Sequence, residues 1–143
     1  MWNSDMSRTT VEAIIELTRA IIESQRRGNE REVQLRIKEI ELEIERLKTR
    51  KWEARAQAAE AETEAMRWRS KAGGGRDADT TRAANEAAAV AEQRAREAHK
   101  RVEELETSIV AATEARDAGA AGDTNALEAW TSRAIRLTDS ADG

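Results

Sequence analysis

The sequence of 143 residues contains no cysteine, proline, phenylalanine or tyrosine. Without cysteine the chain has no disulfide framework, no thiolate metal site and no thiol nucleophile. Globular domains usually take their largest buried areas from aromatic side chains, and the only aromatics here are four tryptophans. Abundant Ala, Glu and Arg without proline is typical of long helices and coiled coils.

The chain also lacks long apolar runs and a strong charge of one sign. No stretch approaches the length needed to span a bilayer, and Met1–Thr10 lacks the pattern of a secretory signal. We therefore expect no membrane partner, with the cytoplasm as the default location. The formal charge of −4 is too evenly mixed for a disordered polyelectrolyte.

Glycine and aspartate mark the ends of the predicted helices. Glycine falls in only four places, which are Gly28, Gly73–Gly75, Gly119 with Gly122, and Gly143. Glycine favours the left-handed position after a helix, and aspartate favours caps. We predict four helices. Helix 1 begins at Thr9, which forms a capping box with Glu12, and ends before Gly28, and helix 2 begins after Asn29 and ends near Ala72. Helix 3 begins after Asp77 or Asp79 and ends near Ala118, and helix 4 begins after Asp123 and ends near Ser140.

The two long central helices each carry an apolar stripe with alternating spacings of three and four. In helix 2 the stripe is Val33, Ile37, Ile40, Ile44, Leu47, Lys51, Ala54, Ala58, Ala61, Ala65, Trp68 and Ala72. In helix 3 it is Ala84, Ala88, Ala91, Ala95, Ala98, Val102, Leu105, Ile109 and Ala112. This spacing keeps one stripe facing one partner in a left-handed supercoil.

Folding the chain back at the glycines brings the two stripes together in a constant register. The residue numbers of facing pairs sum to 152 or 153, from Trp68 with Ala84 to Leu47 with Leu105. Alanine then faces alanine near the turn, and large aliphatic residues face each other farther away. Helices 2 and 3 are therefore predicted to form a long antiparallel coiled-coil hairpin.

The two outer helices are predicted to cover only the aliphatic end of that hairpin. Leu35 and Leu42 are expected to face Ile22 and Ile15 of helix 1, and helix 4 is expected to fold back on helix 3 through Leu127, Trp130, Ala134 and Leu137. The predicted fold class is thus all-α. A four-helix bundle over 9–47 and 102–140 forms the base, and a hairpin stalk over 48–101 projects from it.

No catalytic, cofactor or metal site is predicted. A di-metal bundle needs two Glu-x-x-His motifs, and the chain has only His99. This histidine follows seam residue Ala98 and can reach Glu103, so we interpret it as a surface residue, with haem ligation as the alternative. The acidic stretch of helix 2 (Glu39, Glu41, Glu43, Glu45) is interpreted as a solvated face, and no nucleophile triad or phosphate loop is present.

Basic and aromatic residues cluster at the hairpin tip. Met66, Arg67, Trp68, Arg69, Ser70 and Lys71 are followed by Arg76 beyond the glycines. Three interpretations stay open: Trp68 caps the seam against Ala84 while the arginines remain in water, the cluster contacts a protein, or it binds nucleic acid.

A second stripe of the stalk consists of Trp52, Ala56, Ala59, Thr63 and Met66. It is expected beside the seam, where no outer helix covers it, and exposed apolar stripes often mark association surfaces. The alternative is that the side chains of Arg55 and Arg67 shield it.

The favoured hypothesis is a non-enzymatic structural or adaptor protein that acts by self-association or by docking a protein through the stalk. Assembly or scaffolding components of phages and bacteria are often of this kind, and the dominance of Ala and Arg is typical of GC-rich bacterial genes. Two alternatives remain, namely a nucleic-acid-associated protein that uses the basic tip and a bundle that holds a small apolar ligand in its base.

Overall fold

The computed structural model describes the backbone of residues 5–75 and 77–142, and side chains over 10–75 and 77–139. It contains four helices, α1 (Asp5–Arg26), α2 (Glu30–Gly73), α3 (Ala78–Ala120) and α4 (Thr124–Asp142). The long helices α2 and α3 pack against each other as a helical hairpin, so the predicted all-α fold class is confirmed. The predicted start of helix 1 was wrong, because α1 already begins at Asp5; the side chain of Thr9 lies outside the described residues.

A Schellman motif ends α1 and leads directly into α2. Gly28 adopts a φ of 70°, and its N–H donates to the carbonyl of Gln25 at 3.1 Å. The N–H of Asn29 donates to the carbonyl of Ser24 at 2.9 Å, while its Oδ1 accepts the N–H of Glu32 at 3.2 Å. Asn29 thus completes the end of one helix and caps the start of the next.

The connection between α3 and α4 repeats this arrangement. Gly122 has a φ of 69°, the N–H of Asp123 donates to the carbonyl of Ala118 at 3.0 Å, and Asp123 Oδ1 accepts the N–H of Ala126 at 3.0 Å. Gly119 does not break the helix, although it was predicted to mark this turn. It lies inside α3, where a Cβ would meet Ile21 and Ile37 at 3.5 Å.

Replacing either turn glycine by alanine is expected to lower the free energy of unfolding by about 1 kcal/mol, because alanine is strained at positive φ. Urea unfolding of Gly28→Ala and Gly122→Ala measures this loss. Gly119→Ala is the matched control, since its added methyl makes only ordinary contacts and alanine favours the helix. A Gly119→Ala loss as large as the other two would contradict this explanation.

The chain divides into two compact units by its own contacts. The hairpin unit is Lys51–Glu103, and the base unit is Met1–Arg50 with Glu104–Gly143. This division does not test the predicted projection of a stalk, which stays a prediction.

In the hairpin unit, α2 and α3 pack against each other through alanines from both helices. Its buried seam comprises Ala54, Ala58, Ala61, Ala65, Ala84, Ala88, Ala91, Ala95 and Ala98. Only methyl groups are buried along most of this seam, so each layer contributes less apolar area than a leucine layer would.

Polar pairs flank the alanine seam and show that the two helices run antiparallel. On one side Arg69 pairs with Glu92 at 2.9 Å, and Arg94 lies 3.9 Å from Glu64 on the other. Farther from the turn, Gln57 accepts a hydrogen bond from Arg101 at 3.1 Å. From this pair to the pair of Arg69 and Glu92, the residue number rises on α2 and falls on α3. The pairs are exposed, so they specify the pairing more than they stabilise it.

The base unit contains all the isoleucines and leucines of the chain. Its core includes Val11, Ile14, Ile15, Ile21 and Ile22 of α1, Val33, Ile37, Ile40, Ile44 and Leu47 of α2, Leu105 and Ala112 of α3, and Leu127, Trp130 and Ala134 of α4. Helices α1 and α4 are in contact, and Arg26 binds Glu128 at 2.8 Å across them.

Trp130 anchors α4 to α3. Its side chain is 5% exposed, and its indole N–H donates to the carbonyl of Ala111 at 2.8 Å. Leu137, which was also expected to fold back on helix 3, stays 37% exposed.

Leu35 and Leu42 are not buried by helix 1 as predicted. Ile15 and Ile22 are buried as expected, but Leu35 is 50% and Leu42 58% exposed. Each leucine stands two residues before a seam isoleucine, which turns it about 200° away from the side that faces α3. Leu42 borders an open groove together with Leu17 and Ala20 of α1.

Candidate interaction surface

An exposed stripe runs along α2 in the hairpin unit, and we call it the outer stripe. It consists of the residues predicted from the sequence, Trp52, Ala56, Ala59, Thr63 and Met66, and all five are exposed. Trp52 is 69% and Met66 73% exposed, the largest fractions among the big apolar side chains of the described residues.

The outer stripe lies opposite the alanine seam, and its predicted position beside the seam is wrong. Each of its residues precedes a seam residue by two, as Trp52 precedes Ala54 and Met66 precedes Trp68. Two residues turn a helix by about 200°, so the stripe faces away from α3. This geometry explains why the partner helix covers none of the five side chains.

Arg55 shields Trp52 only in part. Its guanidinium carbon lies 5.6 Å from the centroid of the Trp52 ring, within the range of a cation–π interaction. Trp52 nevertheless stays 69% exposed. Sequence reasoning named this shielding as an alternative, and it leaves most of the tryptophan accessible.

A row of charges borders the outer stripe. Glu53, Glu60 and Arg67 each follow a stripe residue by one position and are spaced seven apart, so they share one side of α2. All three are exposed, and within the described residues none of them makes an ion pair or side-chain hydrogen bond. Arg67 was among the predicted site residues. Glu53 and Glu60 were missed, although their spacing from Arg67 was visible in the sequence.

At the tip, Arg69 is engaged within the hairpin. Its guanidinium binds Glu92 at 2.9 and 3.1 Å and Asn85 at 3.0 Å. The hydrogen bond to Glu92 raises the pKa of Arg69, and the same bond lowers the pKa of Glu92. Arg69 is thus ion-paired across the hairpin, while its side chain stays 48% exposed.

Trp68 is half-buried at the end of the seam, and the Lys71 ammonium lies 4.5 Å from its ring centroid. The tip also carries an acidic group. Asp77 caps α3, and its carboxylate accepts the Thr80 N–H at 2.7 Å. That hydrogen bond lowers the pKa of Asp77 and favours its charged form. Arg76 lies outside the described residues. The tip thus combines both signs of charge.

His99 contacts the opposite helix. Its Nε2 bonds to Glu62 Oε1 of α2, whereas the sequence suggested Glu103. Over the described residues, no group of three His, Cys, Asp or Glu side chains is arranged to hold a metal.

Three of the four residues in the acidic stretch of α2 are ion-paired within the helix. Arg36 binds Glu39 at 3.0 Å, Lys48 binds Glu45 at 3.4 Å, and Arg46 pairs with Glu43. These pairs join residues three apart on the helix surface, which is how such side chains ordinarily stabilise a helix.

Comparison with known proteins gives no relative for this chain, since no family model, no curated protein and no solved structure matches it. Within the part of the chain that the structure describes, no helix has the length and apolar character to span a bilayer.

Proposed function

We propose that this chain is a non-enzymatic structural or adaptor protein that acts through protein contacts of the outer stripe. The observation that supports the proposal is the exposure of Trp52 and Met66 at the two ends of one continuous apolar row. The row spans 15 residues, or about 21 Å of helix at 1.5 Å per residue.

The physical reason is the free energy that a partner gains by covering this row. A tryptophan covers roughly 150–250 Å², so burying the exposed part of Trp52 yields about 3 kcal/mol at ~25 cal/mol per Å². Tryptophan is also among the residues that most often dominate the binding energy of protein interfaces. A protein partner can cover such an apolar row with its own apolar side chains, whereas a polyanion offers mainly charged groups.

Binding of nucleic acid by the tip is less well supported. Affinity for phosphates comes from unpaired cationic side chains, whereas Arg69 is held by Glu92 and Asp77 adds negative charge nearby. On composition alone, we extend the proposal to a cytoplasmic assembly or scaffolding component of a bacterium or its phage.

Cross-linking from the stripe tests the proposal. The chain has no cysteine, so Ala59→Cys provides a single thiol for a benzophenone label. Irradiation of the labelled full chain, in purified form and in extract of its native cells, is expected to give protein adducts. Trp52→Glu in the same background is expected to remove most of them, because it places a charge in the apolar row.

The matched control is Ala83→Cys, which labels an exposed alanine of α3 away from the stripe. Adducts from Ala59→Cys that do not exceed those from Ala83→Cys, in both preparations, would contradict the proposed function.

A further inference from the structure

We propose that the outer stripe is self-complementary and joins two copies of this chain in an antiparallel pair, with the two-fold axis beside Ala59. This inference rests on the proposed function and names the partner as a second copy.

The spacing of the stripe repeats the pattern of the buried seam. Its residues follow one another by four, three, four and three, which is how one helix presents a continuous row to another helix. The row also has a large apolar residue at each end and smaller residues between them. When a second copy is laid antiparallel with Ala59 opposite Ala59, each Trp52 meets Met66 of the other copy. Sulfur–aromatic contacts of this kind are favourable, and the small central residues let the two helices approach closely.

The charges beside the stripe fit the same arrangement. In the row of Glu53, Glu60 and Arg67, reversal about the centre places Glu53 of each copy against Arg67 of the other. Two symmetric attractive pairs result from side chains that have no ion-pair partner within the described residues. In a parallel pairing the two charge rows would lie on opposite sides of the contact, and these attractive pairs would not form. Charge therefore selects the antiparallel orientation.

One group opposes the association. Glu60 lies next to the axis and would approach Glu60 of the other copy, which brings two negative charges close together. The proposal thus predicts that loss of the Glu60 charge strengthens dimerisation, whereas reversal of the Glu53 or Arg67 charge weakens it.

The hairpin of this chain shows the same design within one molecule. There, an apolar row with spacings of three and four is bordered by Arg–Glu pairs such as Arg69 with Glu92. The proposed pair places Glu53 and Arg67 beside the outer stripe in the corresponding positions.

The contact is short, so the association is expected to be weak and reversible. A helix contact of about 21 Å buries much less than the ~800 Å² per partner of a standard interface. We expect a dissociation constant in the range of roughly micromolar to millimolar, which calls for measurement at high protein concentration.

Sedimentation equilibrium of the full chain tests the inference. The natural sequence is expected to dimerise reversibly, and Glu53→Arg or Arg67→Glu is expected to weaken dimerisation by about tenfold or more, because each change turns both pairs repulsive. An equimolar mixture of the two variants is expected to form the mixed dimer, in which both pairs are attractive again. The variant that carries both changes is expected to regain self-association, and Glu60→Gln is expected to strengthen it.

Far-UV circular dichroism and the urea midpoint of each variant check that these exposed substitutions leave the fold intact. A monomer at every accessible concentration, insensitivity to each single reversal, or failure of the mixture to associate would each overturn the inference. If Ala59→Cys cross-links a different protein while the chain itself stays monomeric, the second copy is wrong and the proposed function survives.

Discussion

The Leu47→Ala variant is expected to lose about 3 kcal/mol of unfolding free energy, while Leu42→Ala is expected to lose less than about 0.5 kcal/mol. Both changes remove the same atoms from the same helix in the base unit. Leu47 is 0% exposed and Leu42 58% exposed, so only the first truncation leaves a cavity. The difference between the two variants thus measures burial alone, because helix propensity and side-chain volume cancel.

Urea unfolding followed by circular dichroism at equal protein concentration gives both values. The slope of the transition is expected to stay unchanged, so that the midpoints report stability. Equal losses in the two variants would mean that Leu42 is covered, as sequence reasoning first suggested, and would contradict the arrangement of the base unit.

Trp130→Ala is expected to cost about 4 kcal/mol, which is a large fraction of the stability of a domain of this size. The ring is 5% exposed, so its removal leaves a cavity between α3 and α4. Trp130→Phe is expected to cost less, about 1–2 kcal/mol, because most of the ring stays while the hydrogen bond to the Ala111 carbonyl is lost.

Trp52→Ala is the matched control for this series, since it removes the same side chain from a position that is 69% exposed. Thermal unfolding at low protein concentration is expected to leave its midpoint nearly unchanged. A Trp52→Ala variant as unstable as Trp130→Ala would show that Trp52 supports the fold, and it would remove the argument for an interaction surface.

The helix pattern could be predicted from the sequence because the seam is periodic and the turns carry unambiguous residues. Every alanine of the predicted seam from Ala54 to Ala65 is buried, and so are its partners from Ala84 to Ala98. Asn29 and Asp123 cap helices at the expected places. Periodicity and capping are local properties, so a single chain is enough to reveal them.

The burial of Leu35 and Leu42 was predicted wrongly. A spacing of seven holds for every position of the repeat, so it shows that two residues share a face without showing which face. Counting from the seam would have placed them away from α3. The same count places the outer stripe opposite the seam, where its exposure agrees with the interaction hypothesis.

The cross-helix partners at the candidate site could not be predicted. The sequence suggested that His99 reaches Glu103 on its own helix, whereas it contacts Glu62 on the other. It also gave no partner for Arg69, which Glu92 binds. Long side chains lean toward the N-terminus of their helix, so their partners depend on helix register and side-chain direction together.

The two Schellman connections limit where this protein can change in length. Asn29 and Asp123 each donate a backbone hydrogen bond that ends one helix and accept a side-chain hydrogen bond that caps the next. Each connection therefore has no residue that could be removed without loss of a helix-ending bond. Insertion or deletion at either place would break both sets of bonds and rotate one helix against its neighbours. Natural length variants and inserted tags should therefore be accommodated at the glycine-rich turn between α2 and α3.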